Sequence, residues 1–360
     1  MSTGLRNRSG LMHQALAKVA PGTALRDGLD RIVRAKMGAL IILGDHPAVL
    51  NICSGGFLLD SAYSPQRLSE LAKMDGAIIL GSNEMRIARA NVHLVPDPTT
   101  TTSETGTRHR TAERVARSID VPVVSVSEEM AVIAVYAGHQ KHEIQDIGRL
   151  LERANQALQT LERYKARLDD VTSTLGALEI EDVVTLRDVA VVLQRSEMVR
   201  RIADEIDMMI VELGVEARLL RLQLDELFAA TDLDLDLVVQ DYCVDPGPDS
   251  IERVLQSLID LDDDSLLDLR SVAGCLLSLI PDADLDAPVQ PRGFRLLARI
   301  PRMTTELATN VIEQFGGLAK VLRSTVADLA MVPGLDEGRA RVIKDALGRL
   351  AETSILEQYG

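Results

Sequence analysis

An α/β domain with a mixed sheet flanked by helices, an all-α helical spine and a C-terminal block of helical hairpins is the fold class this sequence predicts. Three observations predict it. Residues 1–142 alternate short β-branched runs with helical stretches. From 143 to 288 the strand signals stop and apolar residues recur at 3-4 spacing. Residues 289–360 hold a Pro-Gly turn between two helical segments and are relatively basic. Ten Lys and Arg stand against eight Asp and Glu in 292–360, about +2 where the whole chain carries −15. A length of 360 residues is itself too much for one ordinary core.

In the first block the strand-like runs are 38–44, 49–53, 76–80, 90–95, 121–126 and 131–136, each bounded by Gly, Pro, Asn or Ser. An unbroken apolar run such as Ala77–Leu80 suits a strand buried on both faces. Helical stretches fall between, near 11–35, 64–74 and 107–118. In the second block Ile147, Leu150, Ala154, Ala157, Leu161, Tyr164, Leu168, Val171 and Leu175 form one seam of a long amphipathic helix, and helical pattern continues through 179–229. Asp245-Pro-Gly-Pro248 marks a loop within this block, and the segment from Pro281 to Pro291 reads as a linker.

Composition excludes several classes. The acidic balance, pI about 4.9, confines any nucleic-acid contact to a local patch. Aromatic residues make up 2% and Trp is absent, which argues against base stacking as the main mode of binding. Cys53, Cys243 and Cys275 are scattered and read as small core residues of a reducing compartment. There is no signal-peptide core and no membrane-spanning run, so a soluble, cytoplasmic protein is expected. P-loop, Rossmann, nucleophile-elbow and zincin motifs are all missing. Asp232, Asp234 and Asp236 alternate like the start of a calcium loop, but Leu237 and Cys243 stand at its Gly and Glu positions, so they read as acidic surface. His13, His46, His93, His139 and His142 show no ligand spacing and read as structural.

Two short motifs carry chemistry. Arg108-His109-Arg110 lies between Gly106-Thr107 and Thr111, at the junction of a Thr-rich loop with a helix. Free N–H groups and the helix dipole favour an anion there, and guanidinium forks extend the site to a polyphosphate. Asp75-Gly76-Ala77 stands where a helix meets a strand. Its carboxylate suits Mg²⁺ or Mn²⁺ and activation of a ribose hydroxyl, and Gly76 allows close approach of a base or sugar. Ser127 and Glu128 end another strand-like run, where ligands of α/β sheets commonly sit; Ser127 suits a phosphate and Glu128 a shared metal. Against these stand plainer readings: a charged helix start, a turn before a strand, surface acids.

In the tail, Met331-Val-Pro333-Gly334-Leu-Asp-Glu-Gly338-Arg339-Ala-Arg341-Val-Ile343 has the form of a helix-hairpin-helix, whose tight turn offers backbone N–H groups to a DNA phosphate. An upstream copy, Ile300–Ile312, keeps the Pro and the Ala-x-x-Val-Ile pattern but lacks the glycines.

The Asp75-Gly76-Ala77 and Arg108-His109-Arg110 motifs, with Ala90-Asn-Val-His-Leu-Val-Pro-Asp-Pro98 between them and Gly55-Gly56-Phe57 before, resemble the diadenylate cyclase domain. The spine and the C-terminal hairpins are similar to those of the bacterial DNA integrity scanning family. The resemblance implies synthesis of cyclic di-AMP from two ATP, a homo-octamer, and binding of branched DNA such as Holliday junctions that restrains synthesis. It implies catalytic roles for Asp75, Arg108, His109 and Arg110. It places Gly76, Ala77, Leu94, Thr107 and Thr111 around the nucleotide, with Leu94 beneath adenine, and Glu128 as a metal-binding acid beside Asp75. Pro333, Gly334, Gly338, Arg339, Arg341 and Arg302 are the DNA-facing candidates. The alternative of another class is a DNA-structure sensor that binds nucleotide without turning it over.

Overall fold

The computed structural model describes residues 10–83, 85–228, 231–276 and 284–359. They form two compact units: Leu5–Leu158 with Asp204–Leu224, and Gln159–Ala203 with Asp225–Gly360.

The first unit opens on α1 (Leu11–Val19) and α2 (Ala24–Arg34). The sequence predicts one helix here. Pro21-Gly22 breaks it, with Gly22 at φ +91°, and the Thr23 hydroxyl caps α2 by accepting from the Arg26 N–H. There follow β1 (Ala39–Leu43), α3 (Pro47–Asn51), β2 (Cys53–Ser54), β3 (Phe57–Ala62), α4 (Pro65–Leu71), β4 (Ala77–Leu80), β5 (Arg86–Leu94), α5 (Thr107–Ile119), β6 (Val123–Val126), β7 (Ile133–Ala137) and β8 (Gln140–Glu143). The run 49–53, expected as a strand, is mostly helix. Pro47 sits in the first turn, His46 Nδ1 accepts from the Ala48 N–H, and only Cys53 reaches the sheet.

The strands make one eight-stranded mixed sheet, ordered β2-β5-β4-β1-β6-β7-β8, with β3 also on β5. Among the described residues only β1 and β4 pair in parallel. Alternation divides the apolar side chains between two faces. Ile41, Leu43, Ile78, Leu80 and Val124 pack under α1, α2 and α4; Leu40, Ile42, Ala77, Ile79, Val92 and Tyr136 pack under α5. Every residue of β1 and β4 is therefore buried, as their unbroken apolar runs require.

α6 (Ile147–Glu181) is a 35-residue helix. Leu150, Ala154, Leu161, Leu168 and Leu175 of the expected seam are buried, and Leu158 is buried where Ala157 was expected. The 3.6-residue turn drifts against a strict 3.5 repeat, so the seam shifts by one position. α7 (Leu186–Leu213), a 3₁₀ turn (Gly214–Ala217) and α8 (Arg218–Phe228) complete the run. Within the first unit, His13 meets Asp207 at 3.1 Å and His142 meets Glu212 at 2.7 Å, so both histidines are structural.

The second unit continues with α9 (Thr231–Tyr242), α10 (Pro248–Asp260), α11 (Asp263–Leu267), α12 (Leu269–Leu276), α13 (Phe294–Ala298), α14 (Thr305–Phe315), α15 (Leu318–Arg323), α16 (Val326–Leu329) and α17 (Glu337–Tyr359). Pro248 begins α10 instead of closing the loop before it. Residues 281–283 of the expected linker, and the side chains of Asp232 and Asp234, lie outside the described residues. At the heart of this unit is a buried polar cluster. Arg295 of α13 pairs with Glu179 of α6, and Tyr242 of α9 donates to Glu179 at 2.7 Å. Asp241 accepts the backbone N–H groups of Gly293, Phe294 and Arg295 at 2.7, 2.6 and 3.0 Å.

Burial, reinforced by the Glu179 carboxylate, pushes Asp241 up to about 7 against those three donors. A carboxyl whose folded pKa is raised stabilises the fold at low pH and loses that contribution as pH rises through the folded value. No histidine lies in this unit to confuse the reading. Its unfolding midpoint in denaturant should fall from pH 6 to pH 8, and Asp241→Asn should flatten the profile. An unchanged profile in the variant would remove Asp241 as its source.

Candidate active site and hairpin surface

Strand register assembles the first site. β1 and β4 are parallel, with Ile41 opposite Ile78, so Gly38 and Asp75-Gly76 precede them at the same end of the sheet. β6 runs the other way, with Val126 opposite Ala39, and so delivers Ser127 and Glu128 to that end. The expectation that ligands gather at carboxyl ends of strands thus holds for β6 alone; β1 and β4 present their amino ends.

Arg108, in the first turn of α5, joins the pieces. Its guanidinium donates to Asp75 Oδ1 at 2.8 Å and stands 3.8 Å from Glu128. Asp75 is 92% exposed, so its carboxylate has no packing role. Two glycines make room. A Cβ on Gly38 would lie 2.3 Å from Arg108 Nη1, and one on Gly76 would lie 2.5 Å from the Asn91 backbone. Asn91 adopts φ +52° where the β4–β5 register slips, which lets β5 swing against Gly76.

α5 starts at Gly106, which offers no side-chain cap, so the first-turn N–H groups have no side-chain partner there. Thr111 is tied down by donating to the Thr107 carbonyl at 2.9 Å, and Arg110 is exposed. His109 turns inward. The Tyr136 hydroxyl donates to Glu104 at 3.1 Å and therefore accepts from His109 Nδ1–H at 2.9 Å. The neutral ring then keeps a lone pair on Nε2. Burial lowers the His109 pKa, so the imidazole is neutral at pH 7. Burial works against the Glu104 carboxylate, but Lys141 at 2.8 Å and Tyr136 hold its pKa below the usual range.

Ser127 accepts the Met130 N–H at 3.2 Å, which leaves its proton free to donate. Ala77 and Leu94 are buried in the core beneath α5, and Leu94 pairs with Cys53 just beyond the start of β4. Sequence reasoning missed Gly38, Asn91, Glu104 and Tyr136. A glycine before an apolar run was the only local trace of the first.

Among the described residues no cluster of three His, Cys, Asp or Glu side chains forms a ready metal site. Asp75 and Glu128 are nonetheless two hard carboxylates facing one guanidinium. Mg²⁺ and Mn²⁺ accept such a pair when phosphate oxygens complete the shell, so the donor set fits.

The second surface lies on the hairpins. Between α16 and α17 the chain turns at Pro333-Gly334, with Gly334 at φ +87° and the Leu335 N–H bonded to the Val332 carbonyl. Between α13 and α14 it turns at Pro301-Arg302, with Arg302 at φ +64° and the Met303 N–H bonded to the Ile300 carbonyl. The second helices are capped alike, by Asp336 at the Arg339 N–H and by Thr304 at the Leu307 N–H. The two turns share one backbone path, and Arg302 bears the strain that glycine avoids. Asn310 donates to the Pro333 carbonyl and locks the pair. Arg302, Gly338, Arg339 and Arg341 are all exposed on this surface.

Comparison with known proteins bears on the nucleotide-binding and linker regions. The family model described as "DisA bacterial checkpoint controller nucleotide-binding" matches residues 26–141, and the one described as "DisA bacterial checkpoint controller linker region" matches 144–278. The DNA integrity scanning protein DisA of Streptomyces coelicolor is 51% identical over 361 residues, covering 99% of this chain and 96% of its own. That of Kineococcus radiotolerans is 53% identical over 357 residues, covering 98% and 99%. A solved structure, DacA from Staphylococcus aureus, aligns with 38% of this chain and 87% of its own at 24% identity and a TM-score of 0.29, too little to add to the argument. No helix among the described residues is long and apolar enough to cross a membrane. The chain belongs to the family of bacterial DNA integrity scanning proteins, with a nucleotide-binding domain at residues 26–141.

Proposed function

We propose that the chain is a diadenylate cyclase, condensing two ATP into cyclic di-AMP and two pyrophosphates. The observation that carries the reading is the Arg108–Asp75 pair at an open, glycine-cleared end of the sheet. Each chain holds one ATP. The triphosphate lies at the start of α5, against Arg108, Arg110 and the first-turn N–H groups, with Ser127 as a further donor. The ribose lies against Gly76, so that its 3′-hydroxyl reaches Asp75. When two such domains face each other, the 3′-oxygen of one ATP attacks the α-phosphorus of the other. The bond to the β-phosphate breaks and pyrophosphate leaves; the reciprocal attack closes the ring. A two-fold product calls for an isologous interface, and catalysis is positioning and charge stabilisation. Asp75 and Glu128 would hold Mg²⁺ or Mn²⁺, which supplies charge neutralisation at the phosphates. His109, neutral and fixed by Tyr136, orients the loop-to-helix junction.

One domain is half a site. Phe57, Leu58 and Met85, on and beside β3, are 55%, 73% and 72% exposed, an apolar surface that suits burial between copies. Specific activity should therefore fall on dilution below the assembly constant, read by light scattering alongside turnover. A monomer forming cyclic di-AMP at full rate would defeat the reading.

The paired hairpins are proposed to bind branched DNA through phosphate contacts, and bound DNA to restrain synthesis. A Cβ at position 334 would meet Leu307 at 2.9 Å, and φ +87° is strained for any β-branched residue. Gly334→Val should weaken binding of a four-way junction tenfold or more, by about 1.4 kcal/mol, and leave DNA-free turnover unchanged. Wild-type junction affinity in this variant would place the DNA site elsewhere. Binding should also weaken with salt, because it rests on phosphate contacts.

A further inference from the structure

The loop before α5 is fastened from Thr100 to Glu104. Arg114 donates to the Thr100 carbonyl at 3.0 Å, and Arg117 to the Thr101 carbonyl at 2.9 Å. The Thr102 hydroxyl donates to Glu113, as do the Ser103 N–H at 3.0 Å and the Ser103 hydroxyl at 3.2 Å. Glu104 is held by Tyr136 and Lys141. Glu113 is the hub. It is 7% exposed, lies two turns into α5, and also pairs with Arg117 at 2.6 Å. Burial disfavours its charge, yet the Thr102 and Ser103 donors and Arg117 hold its pKa below the usual carboxylate range. The bonds stop at Glu104, and Gly106 starts α5 uncapped.

We infer that Glu113 is a positioning residue for adenylyl transfer, holding the Thr100–Ser103 loop so that the uncapped start of α5 and Arg108 meet the triphosphate already ordered. A buried carboxylate that accepts three bonds from a polar surface loop is an arrangement for fixing that loop. A loop ordered beforehand does not charge its ordering to ligand affinity. The inference rests on reading this domain as an ATP site. It goes further by naming residues that never touch ATP yet set its affinity.

The test removes the hydroxyl donors of the clamp without stranding a buried charge, since the Ser103 N–H and Arg117 still face Glu113. Thr102→Val with Ser103→Ala deletes both hydroxyl donors; Thr102→Ser with Ser103→Thr keeps them. In the full-length protein the deleting pair should raise the ATP dissociation constant, by equilibrium dialysis, and KM about tenfold, with kcat at saturation changed less than threefold. A glutamate-specific protease should cut after Glu104 faster, with the melting temperature within about two degrees of wild type. The hydroxyl-keeping pair should match wild type in every measure. Wild-type ATP affinity in the deleting pair, or a loss confined to melting temperature, would overturn the inference. Dialysis and proteolysis need no turnover. ATP binding without cyclic di-AMP would therefore count against the proposed reaction while leaving the clamp testable.

Discussion

On the proposed mechanism Asp75→Asn should lower kcat for cyclisation about 10³-fold, with an unchanged melting curve and ATP affinity within a few-fold of wild type. The side chain is 92% exposed and pairs with Arg108 at the surface, so folding loses little. The reaction loses the carboxylate nearest the attacking hydroxyl, and an amide neither accepts a proton nor shares a divalent cation as strongly. In the proposed mechanism the loss appears in kcat because Asp75 acts on the charge that develops in transfer, while Arg108 and the start of α5 are left to bind phosphate. Activity within tenfold of wild type would remove Asp75 from the mechanism.

Arg295→Met should destabilise the second unit by about 3–5 kcal/mol, the usual cost of stranding one partner of a buried ion pair. Arg295 is fully buried and Glu179 is 1% exposed. Without the guanidinium, Glu179 keeps the Tyr242 hydroxyl as its partner among the described residues. Removing both charges, Arg295→Met with Glu179→Leu, should recover most of the loss, because an apolar pair avoids the desolvation cost. Denaturant unfolding of the four forms closes a double-mutant cycle. A single-variant loss below about 1 kcal/mol, or no recovery in the double, would contradict the role given to the cluster. The same cluster bears on dissection of the tail. Cutting at residue 292 would remove Arg295 and the N–H groups that satisfy Asp241, leaving two buried carboxylates exposed or unpaired. Point substitutions such as Gly334→Val therefore probe DNA binding more cleanly than truncation.

The elements legible in the sequence are those whose signal is local. β1 and β4 are unbroken apolar runs because both faces of the sheet are covered. α6 shows its seam because one stripe is buried from Leu150 to Leu175. Asp75-Gly76 and Arg108-His109-Arg110 stood out because their composition is unusual for packing. The missed elements carry no such pattern. β8, Gln140–Glu143, is a short polar edge strand. β3 is exposed throughout most of its length. α3 was hidden because Val49-Leu-Asn-Ile reads equally as strand until Pro47 and the His46 cap are weighed. The Glu104–Tyr136 and Arg295–Glu179 contacts were invisible for another reason: the first partners are 32 residues apart and the second 116. No periodicity encodes such partners, and a lone Glu113 on a helix looks like any solvated acid.

The most direct measurement incubates the full-length protein with ATP and Mg²⁺ or Mn²⁺ and reads the products by mass. The account predicts cyclic di-AMP and two pyrophosphates per product, absent with Asp75→Asn. Bound but unconverted ATP in the assembled wild-type protein would contradict it and favour a DNA-structure sensor that uses the nucleotide without turning it over.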